Sequence, residues 1–219
     1  MGEVTVEKKE TAKTRIIEAS RALFSEVGFE STSVREIAKK ASVNLASINY
    51  YFKSKKNLLA EIFLLNFKTF SECLDDLYER RTSWTIEEFS TEVFDLLDRR
   101  KEEFYSAFQI FFNDGVPLPS NLSGDNSSYS GPPGGEIFKK VIDNNLGTTV
   151  DEWRKEWVMR TLFNNIVWEF VVLQTNYAKI SEGSEINREE SLKRIKNLCH
   201  CLVSGVKNDG IDLSEVRYN

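Results

Sequence analysis

Between Lys40 and Leu45 the chain reads Ala-Ser-Val-Asn, and a helical pattern stops and restarts across it. Before the break, Val34, Ile37, Ala38 and Ala41 recur at helical spacing behind Ser33-Val34-Arg35-Glu36, a capping-box pattern. After it, Ile48 and Phe52 stand four apart on one face of another short helix, Asn44 to Phe52. Two short helices joined by the three-residue break Ser42-Val43-Asn44 predict a helix-turn-helix. A longer helix precedes the pair, with Ile16, Ala19, Leu23, Phe24 and Val27 in register and Gly28 as its stop. Lys53-Ser54 breaks the pattern again, and Ser54 can cap a fourth helix through Leu58, Ile62 and Leu65 to about Tyr78.

The remainder continues in the same period. Helices are expected over about 85–99, 100–113, 136–146, 149–179 and 188–207. Residues 114–135 hold all four prolines and no sustained period, so they read as a long loop. No stretch alternates as a strand does, so the expected fold class is all-α. The boundary is placed between residues 57 and 58: a helix-turn-helix domain over 1–57 and a helical domain over 58–219.

Charge supports that division. Residues 1–57 carry eleven Lys/Arg against seven Asp/Glu, whereas the rest carries eighteen against twenty-seven. A basic first quarter on an acidic body points to a local polyanion contact. Catalytic and metal classes find little footing. His200 is the single histidine, no Cys/His/carboxylate set recurs at ligand spacing, and pairs such as Glu102-Glu103 diverge on a helix. No enzyme activity, metal or cofactor is therefore expected. Three cysteines, Cys73, Cys199 and Cys201, do not make a disulfide framework and fit a reducing compartment. The N-terminal stretch is polar, and the most apolar run, Ile166 to Leu173, is broken by Glu169 and is too short for a bilayer. The expected location is cytoplasmic, without membrane contact.

The third helix sorts its side chains by chemistry. Ile48 and Phe52 turn to a small core with Val43, which leaves Ala46, Ser47, Asn49, Tyr50 and Tyr51 on the other faces. Small residues allow close approach to a base edge or phosphate. Ser and Asn can bond base edges, and Tyr hydroxyls and Lys ammonium groups bond phosphates. Lys55 opens the fourth helix, where free backbone N–H groups already favour an anion. Double-stranded DNA is the expected partner.

Thr14 to Phe63 closely resembles the DNA-binding domain of the TetR family of transcriptional regulators. The likeness runs through the first helix, the Gly-Phe link to Thr32 and Ser33, the Val-Arg-Glu-Ile-Ala second helix, the third helix ending Tyr-Tyr-Phe, and Ser-Lys-Lys-Asn-Leu at the start of the fourth. It implies Ser33 and Arg35 as second-helix contacts to phosphate or base. It implies Asn44, Leu45, Ala46 and Ser47 at the base-reading end of the recognition helix. Asn49, Tyr50 and Tyr51 fall on the phosphate-contacting segment, and Lys55 on the basic residue that opens the fourth helix. Asn49 stands where the family most often has Tyr, and Leu45 is apolar where many members are polar. A leucine there suits a thymine methyl.

The resemblance further implies a helical body that binds an effector and forms a homodimer, hence a ligand-responsive repressor on a pseudo-palindromic operator. The expected effector is an unknown, mostly apolar small molecule. The expected pocket residues are Phe89, Phe104, Tyr105, Phe108, Gln109, Phe112, Trp157, Asn164 and Trp168. The helix over 149–179 carries an apolar stripe with Val158, Leu162, Ile166 and Leu173, and a mixed one with Trp153, Trp157, Asn164 and Trp168. The apolar stripe, with Leu192, Ile195, Leu198 and Leu202 of the last helix, is expected at the two-fold interface. A helical DNA-binding or protein-interaction module without an effector stays open as the alternative.

Overall fold

The computed structural model describes residues 11–112, 132–175 and 186–207. Most of the loop expected over 114–135, and the end of the helix expected over 149–179, lie outside the described residues. Among the described residues there are helices and no strand. They are α1 Ala12–Val27, α2 Val34–Lys40, α3 Leu45–Phe52, α4 Lys55–Glu79, α5 Ile86–Arg99, α6 Lys101–Phe112, α7 Gly135–Leu146, α8 Glu152–Gln174 and α9 Arg188–Lys207. They fall into two compact units. One takes the described residues up to Asn66 together with α6 from Ser106; the other takes Phe67–Tyr105 and the described residues after α6.

In the first unit, α1, α2 and α3 pack on one another around Ile16, Ile37, Ala41, Ile48 and Phe52, all buried. The start of α4 adds buried Leu58, Leu59 and Ile62. Local chemistry sets each boundary. Thr11 caps α1 by accepting from the Thr14 N–H, and Gly28 ends it at φ 86°. Ser33 and Glu36 close a capping box on α2: the Glu36 N–H donates to the Ser33 hydroxyl at 3.2 Å, and the Ser33 N–H donates to the Glu36 carboxylate at 2.7 Å. Hydrogen bonding by Ser33, first through its side chain and then through its backbone, holds Glu36 below the usual carboxylate range. Its charge stays on at the helix N-terminus, where the macrodipole favours it. Val27, expected on the packed face of the first helix, is exposed at that helix's final residue.

In the second unit, α5 packs on α7, α8 and α9, and α8 packs on α7 and α9. A continuous run of rings fills its interior. Phe104 meets Phe70 at 5.2 Å, Phe70 meets Phe163 at 6.2 Å, and Phe163 meets Phe138 at 6.0 Å. Phe138 then meets Phe89 at 5.0 Å, and Phe89 meets Trp84 at 5.6 Å, every contact edge-to-face. That geometry sets the positive ring edge against the negative ring face. The Trp84 indole N–H donates to the Tyr78 carbonyl at 2.9 Å, so its polar end is satisfied.

Charged side chains tie the helices around this interior. Buried Glu169 on α8 accepts from Arg194 at 2.8 Å and from the Ser191 hydroxyl at 2.7 Å, both on α9. Arg188 of α9 reaches Asp95 at 2.6 Å and Asp98 at 3.4 Å on α5. Between α7 and α8, Lys139 joins Asp143 and Glu152, and Lys155 joins the same two acids at 3.3 and 2.7 Å. Hydrogen bonds from Lys139, and then from Lys155, hold the Glu152 carboxyl down to about 2.

Two predictions follow from this interior. Phe138 touches a ring on either side, so Phe138→Ala should lower unfolding stability by about 3–5 kcal/mol, read from urea midpoints. Glu152 has a folded pKa depressed from 4.5 to about 2. Its stabilising contribution is complete above pH 4.5 and disappears as pH falls toward about 2. Acid unfolding of Glu152→Gln, followed by circular dichroism, should therefore depend less steeply on pH across that window.

Candidate nucleic-acid interface

The turn between α2 and α3 is built almost entirely from backbone hydrogen bonds. The Ala41 N–H donates to Ile37 O at 2.8 Å, Ser42 N–H to Lys39 O at 3.2 Å, and Val43 N–H to Ala38 O at 3.0 Å. Ser42 turns the chain at φ 52°, in the left-handed region that non-glycine residues enter at some cost. The Asn44 side-chain oxygen then caps α3 by accepting from the Ala46 N–H at 2.9 Å. Lys53 ends the helix at φ 66°, and the Ser54 hydroxyl accepts from the Asn57 N–H to start α4.

With its ends fixed, α3 divides as the residue spacing implies. Ile48 and Phe52 are buried. Leu45 is 39% exposed, Tyr51 40% and Tyr50 73%, while Ala46 and Asn49 are also exposed and Ser47 is half-buried. The Tyr50 and Tyr51 rings meet edge-to-face at 5.2 Å, and the Lys53 ammonium lies 5.8 Å from the Tyr50 ring centroid. Ser33 and Arg35 are exposed at the start of α2. Two of these side chains also serve the fold. Ser33 accepts from the Glu36 N–H as a cap, and Asn44 spends its amide oxygen on α3 and keeps its amide N–H groups.

Lys55 stands differently from the open phosphate ligand expected of it. Its ammonium donates to Phe29 O at 2.7 Å and Thr32 O at 3.0 Å, with Glu30 O at 3.5 Å, and lies 4.2 Å from the Phe29 ring centroid. It is bound into the link between α1 and α2. Sequence spacing carries no sign of this, because the partners lie 23 to 26 residues away. Lys53 is the lysine that lies over Tyr50.

The residues expected to line an effector pocket have different surroundings. Phe89 and Phe104 belong to the packed ring run. Tyr105, half-buried, faces Phe170 at 6.5 Å, and Phe108 and Trp157 are half-buried. Asn164 is exposed and Trp168 is 64% exposed, so these two lie on the surface of α8. The side chains of Gln109 and Phe112 lie outside the described residues.

The residues expected at a two-fold interface differ in exposure. Val158, Leu162 and Ile166 of α8, with Ile195 and Leu202 of α9, are buried within the single chain. Their own subunit's α5, α7, α8 and α9 pack together and account for that burial. Leu173, Leu192 and Leu198 are half-buried. The stripe left to solvent is the mixed one, with Trp153 45% exposed, Trp157 half-buried, and Asn164 and Trp168 exposed.

Residues 16–62 match the family model described as bacterial regulatory proteins, tetR family. The chain is 41% identical over 90 residues to the probable HTH-type transcriptional regulator YttP of Bacillus subtilis (strain 168), a match spanning 41% of this chain and 44% of that protein. It is 22% identical over 193 residues to the biofilm operon icaADBC HTH-type negative transcriptional regulator IcaR of Staphylococcus aureus (strain Newman), covering 88% of this chain and 97% of that one. In fold it is similar to the transcriptional regulator FadR from Bacillus subtilis, whose structure is a complex with stearoyl-CoA. That likeness has a TM-score of 0.57 at 20% identity and covers 88% of this chain and 98% of FadR. The capped helix-turn-helix, the outward face of α3 and the match over residues 16–62 agree, and residues 16–62 form a domain of the tetR family of bacterial regulatory proteins.

Proposed function

We propose that this helix-turn-helix transcriptional regulator acts as a cytoplasmic, ligand-responsive repressor that binds a pseudo-palindromic DNA operator as a homodimer. The observation that carries the DNA reading is the outward face of α3. Leu45, Tyr50 and Tyr51 are large side chains left uncovered on a helix whose opposite face is core. A recognition helix enters the major groove with its N-terminal residues on base edges. On that reading Leu45, Ala46, Ser47 and Asn49 read bases, with Asn44 and Arg35 beside them. Tyr50, Tyr51 and Ser33 bind phosphate. The role is regulatory rather than enzymatic, as for the regulators this chain resembles. Repression is supported by the likeness to IcaR, a negative regulator.

Each chain has one reading head, and a palindrome needs two about one helical turn apart, roughly 34–36 Å. The stripe of α8 with Trp153, Trp157 and Trp168 is the proposed two-fold face, because Trp153 and Trp168 are large apolar side chains exposed on that helix. The effector is taken to be a mostly apolar small molecule bound by the helical body; the stearoyl-CoA held by the FadR neighbour supports that class. Binding of this kind lowers DNA affinity by favouring a state whose heads no longer match the groove spacing. The fourth helix is the proposed coupler, since it supplies residues to both units. Coupling of about 1–3 kcal/mol would weaken DNA roughly 5- to 150-fold, and DNA would weaken the effector equally.

Selection from random duplexes should return a two-fold symmetric site bound by two chains. Recovery of no enriched sequence would defeat the DNA reading. Trp168→Glu should leave helicity intact and convert the protein to a monomer at micromolar concentration in analytical ultracentrifugation. A variant that stays dimeric would remove α8's tryptophan stripe from the interface.

A further inference from the structure

Two cationic side chains hold the backbone at opposite ends of α2. At its C-terminal end, the Arg15 Nε of α1 donates to the Ala41 carbonyl at 3.1 Å. At its N-terminal end, the Lys55 ammonium of α4 donates to the carbonyls of Phe29 and Thr32. The link that Lys55 holds is otherwise closed. Buried Thr32 donates its hydroxyl to Gly28 O at 2.8 Å and its N–H to Phe29 O at 3.3 Å. The Phe29 ring packs on buried Phe24 at 5.3 Å, and the Lys55 ammonium lies against that same ring. The next residue is Ser33, the cap of α2.

We propose that Lys55 is a positioning residue for duplex binding, which fixes the α1–α2 link and with it the start of α2, and that it does not itself neutralise a phosphate. An ammonium has three N–H donors. Here they face three carbonyl oxygens at 2.7, 3.0 and 3.5 Å. To reach a phosphate the group must leave these carbonyls and the Phe29 ring. Hydrogen bonds to a charged group are the stronger kind, and the two nearer carbonyls are part-buried, so stripping them of this partner carries a cost. The residues that α2 offers to the duplex, Ser33 and Arg35, lie directly after the clamped segment. Loosening the link lets the head sample arrangements that do not fit the groove, which lowers apparent affinity by the fraction competent to bind.

This inference rests on the DNA-binding reading above, and the two fail in different ways. If wild-type protein enriches no duplex, the reading fails and this inference with it. Given a selected operator, the test is the salt dependence of binding. Each phosphate neutralised adds about 0.9 to the slope of log affinity against log salt for duplex DNA. Lys55→Met keeps an unbranched apolar stem for Phe29 and removes the ammonium. The variant should bind roughly ten- to a hundredfold more weakly at every salt concentration, with the wild-type slope. A slope reduced by about 0.9 would overturn the proposal. A second measurement needs no variant. In nitrogen-15 spectra of DNA-free wild-type protein, the Lys55 ammonium should exchange with water far more slowly than that of exposed Lys53. Equally fast exchange at the two lysines would refute the clamp.

Discussion

The burial of Ile48 and Phe52 is the constraint on which the helix-turn-helix depends. α3 has eight residues, well short of the length at which an isolated helix holds together in water. It exists because those two side chains enter the core shared with α1 and α2, and because Asn44 supplies its missing N-terminal acceptor. Everything the helix offers outward is set by these inward contacts. Once Ile48 and Phe52 are fixed, the helical period leaves Leu45, Ala46, Asn49, Tyr50 and Tyr51 exposed.

The second unit solves a different problem. Its helices are long, and one apolar face each is not enough to fix how they cross. The ring run from Phe104 to Trp84 supplies directional contacts, because edge-to-face pairs have a preferred angle where aliphatic contacts have little. The ties Glu169–Arg194, Arg188–Asp95 and Lys139–Glu152 then join α8 to α9, α9 to α5 and α7 to α8. Glu169 carries the greatest risk among these, since a buried carboxylate needs every partner it has.

Much of this could be read from residue order. The capping box at Ser33 and Glu36, the stop at Gly28 and the inward pair on α3 are local signals, and each appears as spacing predicts. What spacing could not supply was the identity of a distant partner. Lys55 reads as a phosphate ligand from its place at the start of the fourth helix; its partners come from residues 29 to 32 and were brought there by folding. The stripes of α8 show the same limit. Periodicity says that Val158, Leu162 and Ile166 are covered, but not whether their own chain or a second one covers them. Trp168, expected to line a pocket, stands 64% exposed.

The boundaries of α3 have a bearing on how chains of this kind diverge. Ser42 at φ 52° and Lys53 at φ 66° bracket the helix, and its fold is set by the bracket, by the Asn44 cap and by Ile48 and Phe52. The exposed positions lie outside that core. A gene copy can therefore exchange Leu45, Ala46, Asn49, Tyr50 or Tyr51 one at a time and keep a stable protein at each step. Asn44 is the exception: it is both cap and surface, so drift there alters stability and surface together. The outward surface of α3 can be rewritten through a series of viable intermediates while its inward face stays the same.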